Sequence, residues 1–171
     1  MEELAGIYPV VTVKKTTDAA DLHWCASLMA SNEPWITLKR NFDHSITLLM
    51  DPLSEVYLFS HGEERIGFIM IKLKGPFTGY IQTIVFSEAA RGKGIGEAAI
   101  RYIENLIFGV SPNVFICVSS FNTRARKLYL RLGYSEVGLL KDYIIKGYDE
   151  VLMRKTMGPL NDFKKQKPVI T

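Results

Sequence analysis

A glycine-rich segment of this sequence contains the residue types that bind phosphate. The hexapeptide Arg91-Gly92-Lys93-Gly94-Ile95-Gly96 follows a predicted strand that ends at Phe86, and it precedes a pattern typical of an amphipathic helix. Glycines permit a positive φ and a close approach of the backbone to a ligand. The N–H groups and dipole at a helix start attract an anion, and the charges of Arg91 and Lys93 add to this attraction. The segment therefore predicts a phosphate site.

Two common phosphate-binding motifs do not fit the segment. A P-loop ends in Gly-Lys-Ser/Thr, whereas Gly96 is followed by Glu97. The dinucleotide fingerprint, counted from Gly92 and Gly94, requires its third glycine where Glu97 stands. Two interpretations remain. The segment is either a phosphate loop of another type or a glycine-rich turn that binds no ligand.

A tyrosine on an apolar helical face is the second candidate for chemistry. Residues 123–132 have helical periodicity, with Ala125, Tyr129 and Leu132 facing inward and Gly133 after the end. The Tyr129 hydroxyl can act as a general acid, or the ring can be a core aromatic with a satisfied hydroxyl. The helix pattern alone favours the core role.

The elements that position these residues follow from periodicity and turn residues. Strands are predicted over 10–14, 55–60, 65–73, 80–86, 113–118, 134–140 and 150–156. Helices are predicted from Ala19, from after Trp35 to Asp51-Pro52, over 97–108 and over 123–132. This order is typical of a mixed α/β fold.

The composition argues against several classes of protein. The 171 residues include 21 Lys+Arg and 18 Asp+Glu, and the net charge of +3 is too small to indicate a nucleic-acid partner. Two cysteines cannot form a disulfide framework or a four-cysteine zinc cluster, and the three histidines lack metal-ligand spacing, so we expect no metal. No apolar run approaches the ~20 residues that span a bilayer, and the start MEELAGIYPV lacks a signal-peptide pattern. We expect a cytoplasmic protein with no membrane partner.

Two motifs together resemble those of the GNAT superfamily of N-acetyltransferases. The hexapeptide 91–96 matches the pyrophosphate signature Arg/Gln-x-x-Gly-x-Gly/Ala. Residues 122–129, followed by Leu132-Gly133-Tyr134, match Asn-x-x-Ala-x-x-Leu-Tyr and Leu-Gly-Tyr/Phe. The resemblance covers residues 10–156. It implies a single α/β (α+β) domain over residues 1–157, with flanking helices and a mixed central sheet that contains a splayed parallel strand pair. A polar, basic tail over 158–171 would follow.

The resemblance also implies acetyl-CoA as the acetyl donor, bound in the gap between the splayed strands. The backbone of Ile84, Val85 and Phe86 would pair with the pantetheine arm. The N–H groups of the glycine-rich segment would hold the pyrophosphate, and the residues implied are Arg91, Gly92, Lys93, Gly94, Ile95 and Gly96. Asn122, Ala125 and Lys127 would bind the cofactor from the second motif. With this motif, Tyr129 is favoured as the general acid that protonates the leaving thiolate.

Within the superfamily, the chain is most similar to the N-terminal-alanine acetyltransferases of ribosomal proteins. Those enzymes have a glutamate base where this chain has Cys117, and a neutral thiol is a poor replacement for a carboxylate. The residues predicted to line the substrate are Glu33, Trp35, Gln82 and Tyr143. Trp35 is equally compatible with a core role. Glu33, Asp142, Asp149 and Glu150 remain alternatives for the base, and Tyr80 or Gln82 can instead orient a water.

We therefore expect an acetyl-CoA-dependent N-acetyltransferase that transfers an acetyl group directly to a primary amine of a small molecule or a peptide. The alternative is an acyl-CoA-binding sensor without catalysis, which the absent glutamate allows. A homodimer is compatible with the resemblance.

Overall fold

The computed structural model describes residues 2–4 and 10–164, and these residues contain eight strands and four α-helices. The strands are β1 (Glu2–Glu3), β2 (Thr12–Thr16), β3 (Ser54–His61), β4 (Glu64–Lys72), β5 (Tyr80–Phe86), β6 (Asn113–Ser119), β7 (Ser135–Leu140) and β8 (Glu150–Thr156). The helices are α1 (Ala19–Ala30), α2 (Phe42–Leu49), α3 (Ile95–Phe108) and α4 (Thr123–Arg131). The predicted mixed α/β class is thereby confirmed.

Most element boundaries lie close to those predicted, and helix α1 shows why. Asp18 caps α1, and its carboxylate accepts the N–H of Asp21 at 3.0 Å. The prediction for the next helix was wrong at its start. Residues 34–39 form turns, and α2 begins at Phe42 because the Asn41 side chain caps it by accepting the N–H of His44 at 3.0 Å.

Strand β1 was not predicted, and residues 165–171 of the predicted tail lie outside the described residues.

The chain divides into two compact units, and the first consists of residues 1–71 and 83–103. Its strand order is β1-β2-β3-β4-β5, with β2 antiparallel to β3. Cys25 and Met29 on α1 join Trp35, Phe68 and Val85 in one buried apolar cluster. This cluster fixes the end of β5, which the glycine-rich segment follows.

The second unit consists of residues 72–82 and 104–171, with the strand order β5-β6-β8-β7. β5 and β6 run parallel through the pairs Tyr80–Phe115 and Ile81–Ile116, and β8 is antiparallel to both β6 and β7. Gly79 precedes β5 with φ +88°, and a Cβ there would lie 2.4 Å from the Asn113 carbonyl oxygen. Only glycine permits this approach, so Gly79 positions the start of β5 beside β6.

The helices of the described residues do not meet the requirements for crossing a bilayer. None of them combines the length and the apolar character that a membrane span needs.

Candidate active site

The glycine-rich segment has the backbone conformation that its sequence predicts. Gly92 and Gly94 both adopt φ +77°, and no atom lies within 4 Å of the position a Cβ would take at either residue. Helix α3 begins at Ile95, and the N–H of Ala98 donates to the Gly94 carbonyl at 3.1 Å. The N–H groups of the first turn have no acceptor within a helix, and they carry the positive end of its dipole. The segment is therefore an open backbone cradle suited to an anion.

Arg91 is hydrogen-bonded both to the residues that precede this cradle and to the turn after α1. Its N–H donates to the Glu88 carbonyl at 3.1 Å, and its guanidinium Nε donates to the Phe86 carbonyl at 3.2 Å. Its Nη2 donates to the Asn32 side-chain oxygen, and the Asn32 amide donates to the Leu28 carbonyl at 2.8 Å. Arg91 thus connects the cradle to β5 and to the turn after α1. No local pattern in the sequence indicates a role for Asn32, because residues 32 and 91 are far apart in the chain.

The end of β5 is held by its side chains. Ile84 is half-buried, whereas Val85 and Phe86 are buried, and the Phe86 ring lies 5.5 Å from the Phe59 ring. Gly67 on β4 lies under Phe86, and a Cβ there would come within 2.2 Å of the ring. Because packing holds the side chains, the strand presents a fixed backbone.

The second motif begins as a helix cap. Asn122 is the N-cap of α4, and its side-chain oxygen accepts the N–H of Ala125 at 3.2 Å. Asn122 and Ala125, two residues of the second motif, therefore form the helix cap. The sequence pattern did not indicate this structural role. Lys127, one turn further along, is exposed.

Tyr129 lies buried on α4, with its ring 5.8 Å from that of Tyr134. Within the described residues, its hydroxyl has no hydrogen-bond partner. Burial raises the pKa of Tyr129 well above its usual value. The phenol therefore holds its proton at neutral pH, as a general acid must before it reacts.

One face of the second unit's sheet carries a group of polar side chains, which we call the polar face: Tyr80, Gln82, Cys117, Ser119 and Glu150. The Tyr80 hydroxyl donates to the Cys117 sulfur, and Ser119 Oγ donates to Glu150 Oε1 at 2.6 Å. Ser119 and Glu150 are buried, whereas Cys117 is partly exposed. Gln82 Oε1 is buried without a partner among the described residues.

The Cys117 thiol cannot replace a glutamate base. Burial raises the pKa of Cys117, the hydrogen bond from Tyr80 lowers it, and the charge of Glu150 raises it, with a net upward shift. The thiol therefore remains protonated at neutral pH.

The remaining predicted substrate residues occupy different environments. Trp35 belongs to the buried cluster of the first unit, which supports its role as a core anchor. Glu33 is exposed and accepts the N–H of Thr37 at 3.2 Å, so it stabilises its own turn. Tyr143 is 63% exposed in the turn between β7 and β8.

Comparison with known proteins identifies the family. Residues 17–134 match the acetyltransferase (GNAT) family. The chain belongs to this family. GNAT acetyltransferases take the acetyl group from acetyl-CoA and act on amines. The predicted family, enzyme class and acetyl donor are thereby confirmed.

Two curated relatives of this GNAT protein are N-acetyltransferases by name. The N-alpha-acetyltransferase RimI of Mycobacterium tuberculosis is 30% identical over 147 residues, which cover 81% of this chain and 89% of that protein. The uncharacterized N-acetyltransferase MJ1530 of Methanocaldococcus jannaschii is 35% identical over 88 residues, which cover 48% of this chain and 56% of that protein. The match thus spans little more than half the length of the archaeal relative.

A solved structure shows the same fold. The ribosomal-protein-S18-alanine N-acetyltransferase from Escherichia coli superposes with a TM-score of 0.68 at 16% identity. The superposition covers 90% of this chain and 99% of the other.

Proposed function

We propose that this GNAT protein transfers the acetyl group of acetyl-CoA directly to a primary amine of a small molecule or a peptide. The observation that carries the proposal is the open cradle of Gly92 and Gly94 in front of α3, because acetyl-CoA has a pyrophosphate for such a site to bind. When bound, acetyl-CoA supplies an acetyl group that is already activated as a thioester. The protein must then position the amine and manage two protons.

The proposed cofactor residues retain the roles that the family motifs give them. In the first unit they are Ile84, Val85 and Phe86 for the pantetheine arm and Arg91, Gly92, Lys93, Gly94, Ile95 and Gly96 for the pyrophosphate. In the second unit they are Asn122, Ala125 and Lys127. Because the Arg91 guanidinium donates to Phe86 and Asn32, we propose that it orders the cradle and that Lys93 is the mobile cation.

We propose Tyr129 as the general acid. Its hydroxyl has no partner within the described residues and keeps its proton because burial raises its pKa. A phenol in this state can protonate a leaving thiolate, and it recovers its proton from solvent after the product leaves.

On the substrate side, we propose contributions from Glu33, Gln82 and Tyr143, with Trp35 supporting the turn that carries Glu33. The buried, unpartnered Gln82 Oε1 supports this assignment, because a carbonyl oxygen accepts the N–H of an amine. The RimI relative modifies α-amines according to its name, which favours a peptide N-terminus.

We further propose an acetyltransferase domain over residues 1–157, a tail over 158–171 and a cytoplasmic location. Both cysteines are free, as expected in a reducing compartment. A homodimer remains a proposal, to be tested by light scattering.

The test is release of CoA thiol from acetyl-CoA with a panel of peptide N-termini, polyamines and aminoglycosides. We expect turnover that depends on the amine, and mass spectrometry should find one acetyl group on the acceptor. CoA binding without turnover on any amine would support the sensor instead. Absence of CoA binding would contradict both functions.

A further inference from the structure

The proposed reaction requires a proton acceptor, and the position where related enzymes have a glutamate holds a protonated thiol. An ammonium group cannot attack a thioester until it loses a proton. Cys117 cannot take this proton at neutral pH, since burial raises the pKa of its thiol. The proton must therefore pass to another group of the chain, directly or through a water.

Several carboxylates of the second unit already have structural roles. Glu104 is buried and forms an ion pair with Lys155 at 2.6 Å, so the Lys155 ammonium neutralises the charge of the Glu104 carboxylate. Asp142 Oδ1 accepts the N–H of Gly147 at 2.5 Å, and Asp149 Oδ1 accepts the N–H of Asp142 at 3.0 Å. The two aspartates thus stabilise the turn between β7 and β8.

Glu150 differs from these residues because its carboxylate meets a hydroxyl on the polar face. Ser119 on β6 lies directly opposite Glu150 on β8, and Ser119 Oγ donates to Glu150 Oε1 at 2.6 Å. This short contact is typical of a hydroxyl bonded to an ionised carboxylate. A hydroxyl in such a bond can pass its proton to the carboxylate as it accepts another.

The Ser119–Glu150 pair lies next to position 117. Alternate residues of a strand point to the same face, so Ser119 lies beside Cys117 at a backbone separation of about 6.6 Å. Glu150 pairs in register with Ser119, so its side chain lies on the same face of the sheet as Cys117, and its charge contributes to the raised pKa of both Cys117 and Tyr80. The pair therefore supplies a negative charge beside Cys117, the position where the N-terminal-alanine acetyltransferases that this chain resembles have their glutamate.

We propose that Glu150, acting through the Ser119 hydroxyl, takes the proton of the acceptor amine in this chain. The proposal rests on the acetyltransferase function proposed above. The ammonium N–H bond breaks as Ser119 Oγ accepts that proton, and the original Ser119 proton moves to the Glu150 carboxylate. The products are a neutral amine, an unchanged serine and a neutral carboxylic acid, which later loses its proton to solvent.

The test uses Glu150→Gln, which keeps the size of the side chain and an acceptor for Ser119. We expect kcat/KM to fall about 100-fold, as is usual when a general base is lost, with unchanged CoA affinity. The deficit should shrink as the pH rises past the pKa of the amine, because the substrate then arrives neutral. The neighbouring titratable groups are Tyr80 on β5, Cys117 on β6, Asp149 beside Glu150, and Asp142 and Tyr143 in the β7–β8 turn.

Two further variants separate catalysis from folding. Ser119→Ala keeps the carboxylate but removes the relay, and it should show the same pH-dependent deficit. Cys117→Glu in the Glu150→Gln background restores a carboxylate at the family position and should recover activity. Glu63→Gln, in the exposed turn between β3 and β4, is the control and should match the wild type.

The proposal is overturned if Glu150→Gln stays within 2-fold of the wild type. It is equally overturned if the folded variant, judged by its melting temperature, shows the same deficit at every pH, since this would indicate a structural role. A wild-type protein that turns over no amine would instead contradict the proposed function.

Discussion

Two glycines of the cradle, only two residues apart, should respond in opposite ways to the same added methyl group. Gly94 has φ +77°, and a Cβ at this position would meet no atom within 4 Å. Gly96 lies in the first turn of α3, where a Cβ would be 3.9 Å from Phe86 Cδ2, an ordinary contact. Gly94→Ala therefore tests backbone strain, and Gly96→Ala is its matched control.

The expected magnitudes follow from these environments. A non-glycine residue in the left-handed region costs about 1–2 kcal/mol, and the open space at Gly94 adds no clash. Alanine in a helix is more stable than glycine by up to about 1 kcal/mol, and we expect about half of this at the helix start. In a chain of this size, 1 kcal/mol shifts Tm by roughly 2–4 °C. Gly94→Ala should lower Tm by about 3–6 °C, and Gly96→Ala should raise it by about 1–2 °C.

Calorimetric titration with CoA provides the second measurement. Gly94→Ala should weaken CoA binding at least 10-fold, because the residue relaxes away from the conformation that forms the cradle. Gly96→Ala should stay within about 3-fold of the wild type. Equal Tm values and equal CoA affinities for the two variants would refute both the strained cradle and its assignment to the pyrophosphate.

Three further predictions concern Tyr129, Asn32 and Asp21. Tyr129→Phe should lower kcat about 10- to 100-fold in the thiol-release assay while the Kd for CoA stays constant; an unchanged kcat would exclude this hydroxyl as the acid. Asn32→Ala should weaken CoA binding about 5-fold by releasing Arg91, whereas Asn32→Asp should retain affinity, and equal titration curves for the two variants would contradict the link. Asp21 is buried, and although burial raises its pKa, hydrogen bonds from Lys14, Thr16 and Arg65 lower it below its usual 3.8. Its stabilisation is therefore present above pH 3.8 and lost as the pH falls through the lower folded value, so Asp21→Asn should cost about 2 kcal/mol in urea unfolding at pH 7 and much less at pH 2. An equal cost at both values would contradict this assignment.

The sequence allowed good predictions where the information is local. β5 occupies the predicted residues 80–86, because a β-branched run lies between glycine turns. The start of α1 at Ala19 also agrees with the prediction. In contrast, α2 began later than predicted, since residues 36–39 were included in the predicted helix but form turns.

The candidate site was predictable only in part for the same reason. The glycine positions that adopt φ +77° are visible in the sequence as glycines. The Ser119–Glu150 contact depends on the register of β6 against β8, across 31 positions of the chain, and no local pattern encodes that register. The Arg91–Asn32 contact spans 59 positions and has the same origin.

The helix cap formed by Asn122 bears on why the family motif has asparagine at this position. Asp and Ser cap helices about as well as Asn, so folding alone permits all three residues at this position. The cap uses the side-chain oxygen, which Asn shares with Asp. A requirement for asparagine itself at this position would therefore come from its amide hydrogens, which the cap does not use.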